Sequence, residues 1–141
     1  MKKKGVLFLV ILAMVSACSG GEQPAVTSQS RSIVGTWQYA YPAKQCVDTY
    51  KFAADGTVAI SSAEEVVSGN YSFKDTVAEG ERHSLIINIT ADNGLPDCEG
   101  SIKDHVGYTN HVFVEFYTRD RIGWYPDHEN PQPTITLELL P

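Results

Sequence analysis

This chain has little with which to cross a bilayer or to grip a nucleic acid. Its longest apolar stretch, Gly5 to Val15, is eleven residues. That is about 16 Å of helix, roughly half of a hydrocarbon core, so it forms no stable transmembrane anchor. Eleven lysines and arginines stand against seventeen acids, a formal charge of −6. Beyond the N-terminus the cations are scattered singly, which leaves no electrostatic footprint for nucleic acid and predicts none as partner. Catalytic groupings are equally scarce. His83, His105, His111 and His128 fall in no H-x-H, H-E-x-x-H or Cys/His cluster, so no metal site is specified. Asp104-His105 and Asp127-His128 are sequence neighbours, which on a strand point to opposite faces, and the histidines read as solvated turn residues. Ser61-Ser62 and Ser68-Gly69 lack the G-x-S-x-G setting of a hydrolase nucleophile. Glu64-Glu65 reads as a polar turn rather than an acid/base pair. No glycine-rich loop would cradle a phosphate. The expectation is a chain that is not an enzyme, with no catalytic residues, no metal and no cofactor.

What is present begins at the N-terminus. Lys2, Lys3 and Lys4 precede the apolar run, and small residues follow it, the layout of a secretory signal. Val15-Ser16-Ala17-Cys18 then resembles the lipobox of bacterial lipoproteins: an aliphatic residue, two small residues and a cysteine. That resemblance implies a signal peptide over residues 1–17, a Cys18 thiol alkylated by diacylglycerol, and an acylated new amine of the palmitate type. Such multiple acyl chains anchor a protein to the membrane durably. Ser19, where an aspartate would resemble an inner-membrane retention mark, implies the bacterial outer membrane, facing the periplasm, with display on the cell surface as the alternative. Removal of the three lysines leaves eight cations against seventeen acids, moving the charge to −9. Residues 18–32 form the lipidated cysteine and a tether, SGGEQPAVTSQSRS after Cys18, spanning about 20 Å. Residues 33–141 are then one domain. With Cys18 committed to lipid, Cys46 and Cys98 form an even pair in an oxidising compartment and predict one disulfide. Their separation and the lack of C-x-x-C argue against a redox or metal pair.

From Ile33 onward the apolar period is two. Ile33, Gly35, Trp37, Tyr39 and Tyr41 share one face of a first strand, and Tyr50 and Phe52 share a face of the second. Ala54-Asp55-Gly56 makes a hairpin turn, expected as type I′. Val58 and Ile60 point inward on the third strand; Val67, Gly69, Tyr71 and Phe73 line the fourth; Leu85, Ile87 and Ile89 line the fifth. A short strand is expected near Ser101–His105. Val112, Val114 and Phe116 follow, then Ile122 and Trp124, then Ile135, Leu137 and Leu139. No segment after the signal gives an amphipathic helix. About eight short strands in a meander predict an all-β fold, an antiparallel up-and-down barrel whose last strand pairs with the first near Trp37. A two-sheet sandwich is the alternative.

Gly35-Thr36-Trp37 resembles the G-x-W that opens the first strand of the lipocalin-like group, where the tryptophan plugs the closed end. Small bacterial lipoprotein members are similar further along, at Tyr50-Lys51-Phe52, Asp55-Gly56-Thr57 and Gly69-Asn70-Tyr71. The likeness covers residues 33–73. The T-D-Y motif is missing, as is the C-terminal helix whose arginine stacks on the tryptophan; Arg119 or Arg121 could stand in. The resemblance implies a lipocalin-like barrel that binds a small apolar ligand at its mouth. Trp37, Tyr39, Tyr50, Tyr71, Phe73, Phe116 and Trp124 are the residues expected at the barrel end or lining the ligand. Ser68-Gly69-Asn70-Tyr71 also resembles the S-G-x-Y patch of small periplasmic lysozyme inhibitors. The second expectation is therefore a protein-binding inhibitor or immunity-type envelope protein. Tyr39, Tyr41, Tyr117, Trp124 and Tyr125 are the aromatics least explained by a core, and would serve such a surface.

Overall fold

A computed structural model of the chain describes residues 28–141. The signal segment, Cys18 and most of the tether lie outside the described residues. Ten strands follow one another: β1 (Ser28–Ser30), β2 (Gly35–Ala40), β3 (Val47–Phe52), β4 (Thr57–Ser62), β5 (Glu65–Phe73), β6 (Thr76–Ala78), β7 (His83–Asp92), β8 (Thr109–Phe116), β9 (Arg121–Tyr125) and β10 (Ile135–Leu139). Eight of them close an antiparallel barrel in the order β10-β2-β3-β4-β5-β7-β8-β9. No helix occurs among the described residues. Closure comes from β10 against β2, with Leu139 opposite Trp37, and it leaves the barrel itself no free edge. The inward rows are those the period of two assigns. Trp37, Phe52, Val58, Val67, Leu85, Ile87, Val114, Ile122 and Leu137 are all buried. The barrel, rather than the sandwich, is the fold.

Two local expectations change. The Asp55-Gly56 turn closes a hairpin, but only Gly56 takes a positive φ, at 85°. The Gly56 N–H donates to Ala53 O at 3.2 Å and the Ala53 N–H to Thr57 O at 2.9 Å, a three-residue loop ending in a left-handed glycine. Asp55 stays right-handed because its carboxylate accepts from both the Thr57 N–H (3.0 Å) and Oγ1 (2.6 Å). The strand expected near Ser101–His105 is instead part of a loop from 93 to 108. There the chain bonds to itself through Asp97 Oδ1, which accepts from Glu99 N and Ser101 N, so no neighbouring strand is needed.

The glycines of both sequence motifs have physical duties. Gly35 holds φ at 145°, a conformation that side chains avoid, and a Cβ there would meet Leu139 Cδ1 at 2.6 Å. Gly69 lies at the register shift between β5 and β7, where a Cβ would collide with the Asn88 carbonyl. The bulge lets β5 bend around the barrel only because that side chain is missing.

One end of the barrel is plugged. Trp37 is 1 % exposed and its indole N–H donates to Ile33 O at 2.8 Å. Phe116 lies edge-on 6.3 Å from Trp37, and Phe73 and His83 pack against Phe116 at 6.3 and 5.4 Å. His83 is thus buried, not a solvated turn residue; its Nδ1 lies 2.9 Å from Lys74 O. Arg31 lies 5.8 Å over the Phe116 ring at this end; no arginine is stacked on Trp37 among the described residues. The β1–β6 ribbon lies outside the barrel and ties this N-terminal segment to the β5–β7 connection through Arg31 N and Asp75 O at 2.9 Å.

Candidate functional site

The opposite end carries the β2–β3 connection, the tight β4–β5 turn and the long 93–108 loop. Here the inward row changes character on four strands at once. Asp48 precedes Tyr50 and Phe52 on β3, Ser62 follows Val58 and Ile60 on β4, Glu65 precedes Val67 on β5, and Asn110 precedes Val112 on β8. Strand parity keeps each on the core face. The result is a polar collar above an apolar interior, surrounding a cavity of about 210 Å³. Ile60, Val67, Ile87 and Ile89 form its floor; Tyr41, Tyr50, Tyr108 and Trp124 supply aromatic walls; Asp48, Glu65 and Asp97 supply carboxyl groups and His105 an imidazole.

The collar leaves three polar atoms without partners. Asp48 is 8 % exposed, and its Oδ2 accepts from Tyr41 Oη at 3.0 Å and from Tyr50 Oη at 3.5 Å. Its Oδ1 has none. Burial, followed by the negative Asp48, holds both phenols well above their ordinary range, so they remain protonated donors. Glu65 is 7 % exposed. His105 Nδ1 lies 3.0 Å from Asp92 Oδ2 and 3.1 Å from Glu65 Oε1. One ring N–H cannot align with both; its bond goes to Asp92, and Glu65 Oε1 is left unpartnered. Burial pushes the Glu65 carboxyl above the usual range, with His105 pulling it down and Asp92 and Asp97 pushing it further up. The third orphan is the indole N–H of Trp124, a residue 4 % exposed. Buried polar atoms without partners are rare, and three around one cavity call for a reason.

Asp92 is differently employed. Its Oδ1 accepts from Gly94 N at 2.7 Å and its Oδ2 from His105 N at 2.8 Å, so it holds both ends of the 93–108 loop. These backbone donors keep its carboxyl below the ordinary range. Glu65, Asp92 and His105 together place three ligating atoms within 4.8 Å of one another, the spacing of a small cation site. The Cys46–Cys98 disulfide, Cα–Cα 5.8 Å, staples the same loop to the start of β3. Beside it, Cys98 N donates to Ser62 Oγ at 3.0 Å and Lys44 Nζ to Cys98 O at 3.2 Å.

Of the aromatic residues expected at the barrel end or on the ligand, Tyr50 and Trp124 line the cavity, their rings 4.9 Å apart. Trp37, Phe73 and Phe116 fill the plugged end. Tyr71 packs edge-on against Phe52 at 5.0 Å and donates its hydroxyl to Ala53 O at 2.7 Å. Tyr39 packs on Tyr41 at 4.9 Å beside the cavity wall. Among the aromatics singled out for a surface, Trp124 and Tyr125 are each 4 % exposed. Tyr125 is covered by Arg82, whose guanidinium lies 3.4 Å over its ring and also donates to the carbonyls of Asp127 and His128. Sequence reasoning missed Asp48, Glu65, Asn110 and His105. The first three were accessible through parity, as polar residues in step with an apolar row. His105 was not, because only the loop's fold brings it to Glu65.

No protein-family model matches this chain, and no curated protein or solved structure matches it either.

Proposed function

We propose that this protein is a lipid-anchored, non-catalytic binding barrel of the bacterial envelope that holds one small molecule at its open end. The observation that carries the reading is the cavity of about 210 Å³ with its three unpartnered buried atoms. A cavity of roughly 150 Å³ is enough for benzene, so this one suits a single ring or a comparable apolar body with a short polar extension. The isoleucine and valine floor would take the apolar body, and the collar the polar end. Anchoring rests on the lipobox resemblance at Cys18, and the outer membrane facing the periplasm is the expected address.

Native mass spectrometry of the full chain, released from nonionic detergent, tests the binding function. One small-molecule adduct per barrel, lost when Ile60→Trp fills the cavity, is the expected result. An adduct that survives the filled cavity would place the ligand elsewhere. For the anchor, fractionation of cells carrying the Cys18→Ser chain should move the protein from the membrane to the soluble fraction; unchanged membrane retention would overturn lipidation.

A protein-binding role is the second reading, favoured by one observation. Leu95, Ile102, Val106 and Tyr108 are all exposed on the 93–108 loop, at 44, 67, 55 and 58 %. An inhibitor would present that rim to an enzyme. Capture of a basic envelope protein that weakens as salt rises, and that Ile102→Asp abolishes, would select this reading.

A further inference from the structure

Building on the small-ligand reading, we propose that the cavity takes a small organic cation: a protonated amine held between Asp48 and Glu65. Three independent features converge on that class. The first is a pair of carboxylate oxygens that accept no hydrogen bond, on side chains more than nine-tenths buried: Asp48 Oδ1, and Glu65 Oε1, whose one polar neighbour is the His105 ring at 3.1 Å. Asp48 is opposite Ser62, and Ser62 is opposite Glu65, so the two acids stand on the inner face two strands apart. That separation is about 10 Å between backbones; one ammonium bridges oxygens roughly 5 Å apart, so the amine would sit where the two side chains reach inward toward each other. The second is the wall: Tyr50 and Trp124 present aromatic surface in the same cavity, and a cation gains from the face of such rings. The third is charge. No lysine or arginine lines the cavity among the described residues. Lys44, whose ammonium lies 5.8 Å from the Tyr41 ring, is committed to Cys98 O. Asp48, Glu65 and Asp97 therefore line the cavity with no lysine or arginine beside them. The free Trp124 N–H offers a place for an acceptor on a larger amine, such as the hydroxyl of tyramine.

A divalent metal at Glu65, Asp92 and His105 accounts for less. Asp92 already accepts from two backbone N–H groups and the His105 Nδ1–H is spent on it. Asp48 and Trp124 would stay unpaired.

The test is titration calorimetry on the full chain in nonionic detergent at pH 7, with benzylamine and tyramine against their neutral counterpart benzyl alcohol. The amines should bind at least about tenfold more tightly than the alcohol, since a hydrogen bond to a buried charge exceeds a neutral one by that much. Asp48→Asn and Glu65→Gln should each remove that preference, and both substitutions keep side-chain shape, so folding is preserved. Equal binding of amine and alcohol would overturn the cation inference while leaving a small-ligand barrel. Binding of zinc or manganese ions abolished by Asp92→Asn but not by Asp48→Asn would overturn it in favour of the metal. Failure of every probe, together with a barrel that carries no adduct, would overturn the binding reading itself.

Discussion

Glu65 is the residue at which stability and binding pull in opposite directions. In the unfolded chain its carboxyl titrates near 4.5, and in the barrel burial raises that value. The folded state therefore holds the proton more tightly, and stability is lost as pH rises from the unfolded value through the folded one. Asp92 acts the other way: its lowered carboxyl contributes stability that is present above its unfolded value and disappears as pH falls. Asp48 and Asp97 line the same cavity as Glu65, and His105 touches it at 3.1 Å. Comparing Glu65→Gln with the parent cancels those neighbours to first order. Urea unfolding across pH should show the two proteins alike below about pH 4, where both side chains are neutral, and the glutamine chain more stable at pH 7. A glutamine chain that is less stable at pH 7 would mean that Glu65 is already satisfied by His105. Holding an acid where it costs stability is intelligible when a cation is to be bound there.

At the scale of elements, the 93–108 loop decides the shape of the open end. It delivers Asp97, His105 and Tyr108 to the cavity, and three devices hold it: the caps of Asp92, the bonds from Glu64 N and Glu65 N to Pro96 O at 3.2 and 3.0 Å, and the disulfide. The disulfide closes 52 residues, and the chain-entropy argument gives it about 4 kcal/mol of stabilisation. The paired substitution Cys46→Ala with Cys98→Ala should lower the unfolding free energy by about that amount, read by urea denaturation. Ligand affinity should fall as well, because the loop would lose its tie to β3; affinity unchanged in the disulfide-free protein would show that the Asp92 caps and the Pro96 bonds hold the loop without it. The barrel and the pairing of its cysteines were legible in the sequence for a simple reason. Both depend on strand parity and cysteine count, which are local or arithmetical. The loop was not, since Ile102 and Val106 imitate a strand but are 67 and 55 % exposed, and what organises the segment is a set of carboxylate caps with no periodicity. The polar collar lies between these cases. Asp48 and Glu65 look like ordinary turn charges until their parity with Tyr50 and Val67 is counted, and their convergence follows only once β3, β4 and β5 are in register.

Across the whole molecule, the barrel axis separates two kinds of side chain. The plugged end is closed by Trp37, Phe116, Phe73 and the buried His83, each packed on aromatic neighbours; the open end keeps a cavity and unpartnered charge. β5 runs the full distance, with Glu65 at one end and Phe73 at the other, eight residues or roughly 26 Å apart. Substitutions at its two ends should therefore act independently. Phe73→Leu removes ring contacts with Phe116 and His83 and should cost about 1.5 kcal/mol of stability while amine affinity stays as it was. Glu65→Gln should lose the amine while the barrel gains stability at neutral pH. The double variant should show the sum of the two stability changes within about 0.5 kcal/mol, as expected for sites that share no neighbours. Ligand should raise the unfolding temperature of the parent and of Phe73→Leu equally, because binding to the folded state adds the same free energy to both. A ligand-induced shift that shrinks in Phe73→Leu would show that the plugged end shapes the cavity. In that case the barrel would behave as one cooperative packing unit rather than as a rigid plug beneath an independent binding mouth.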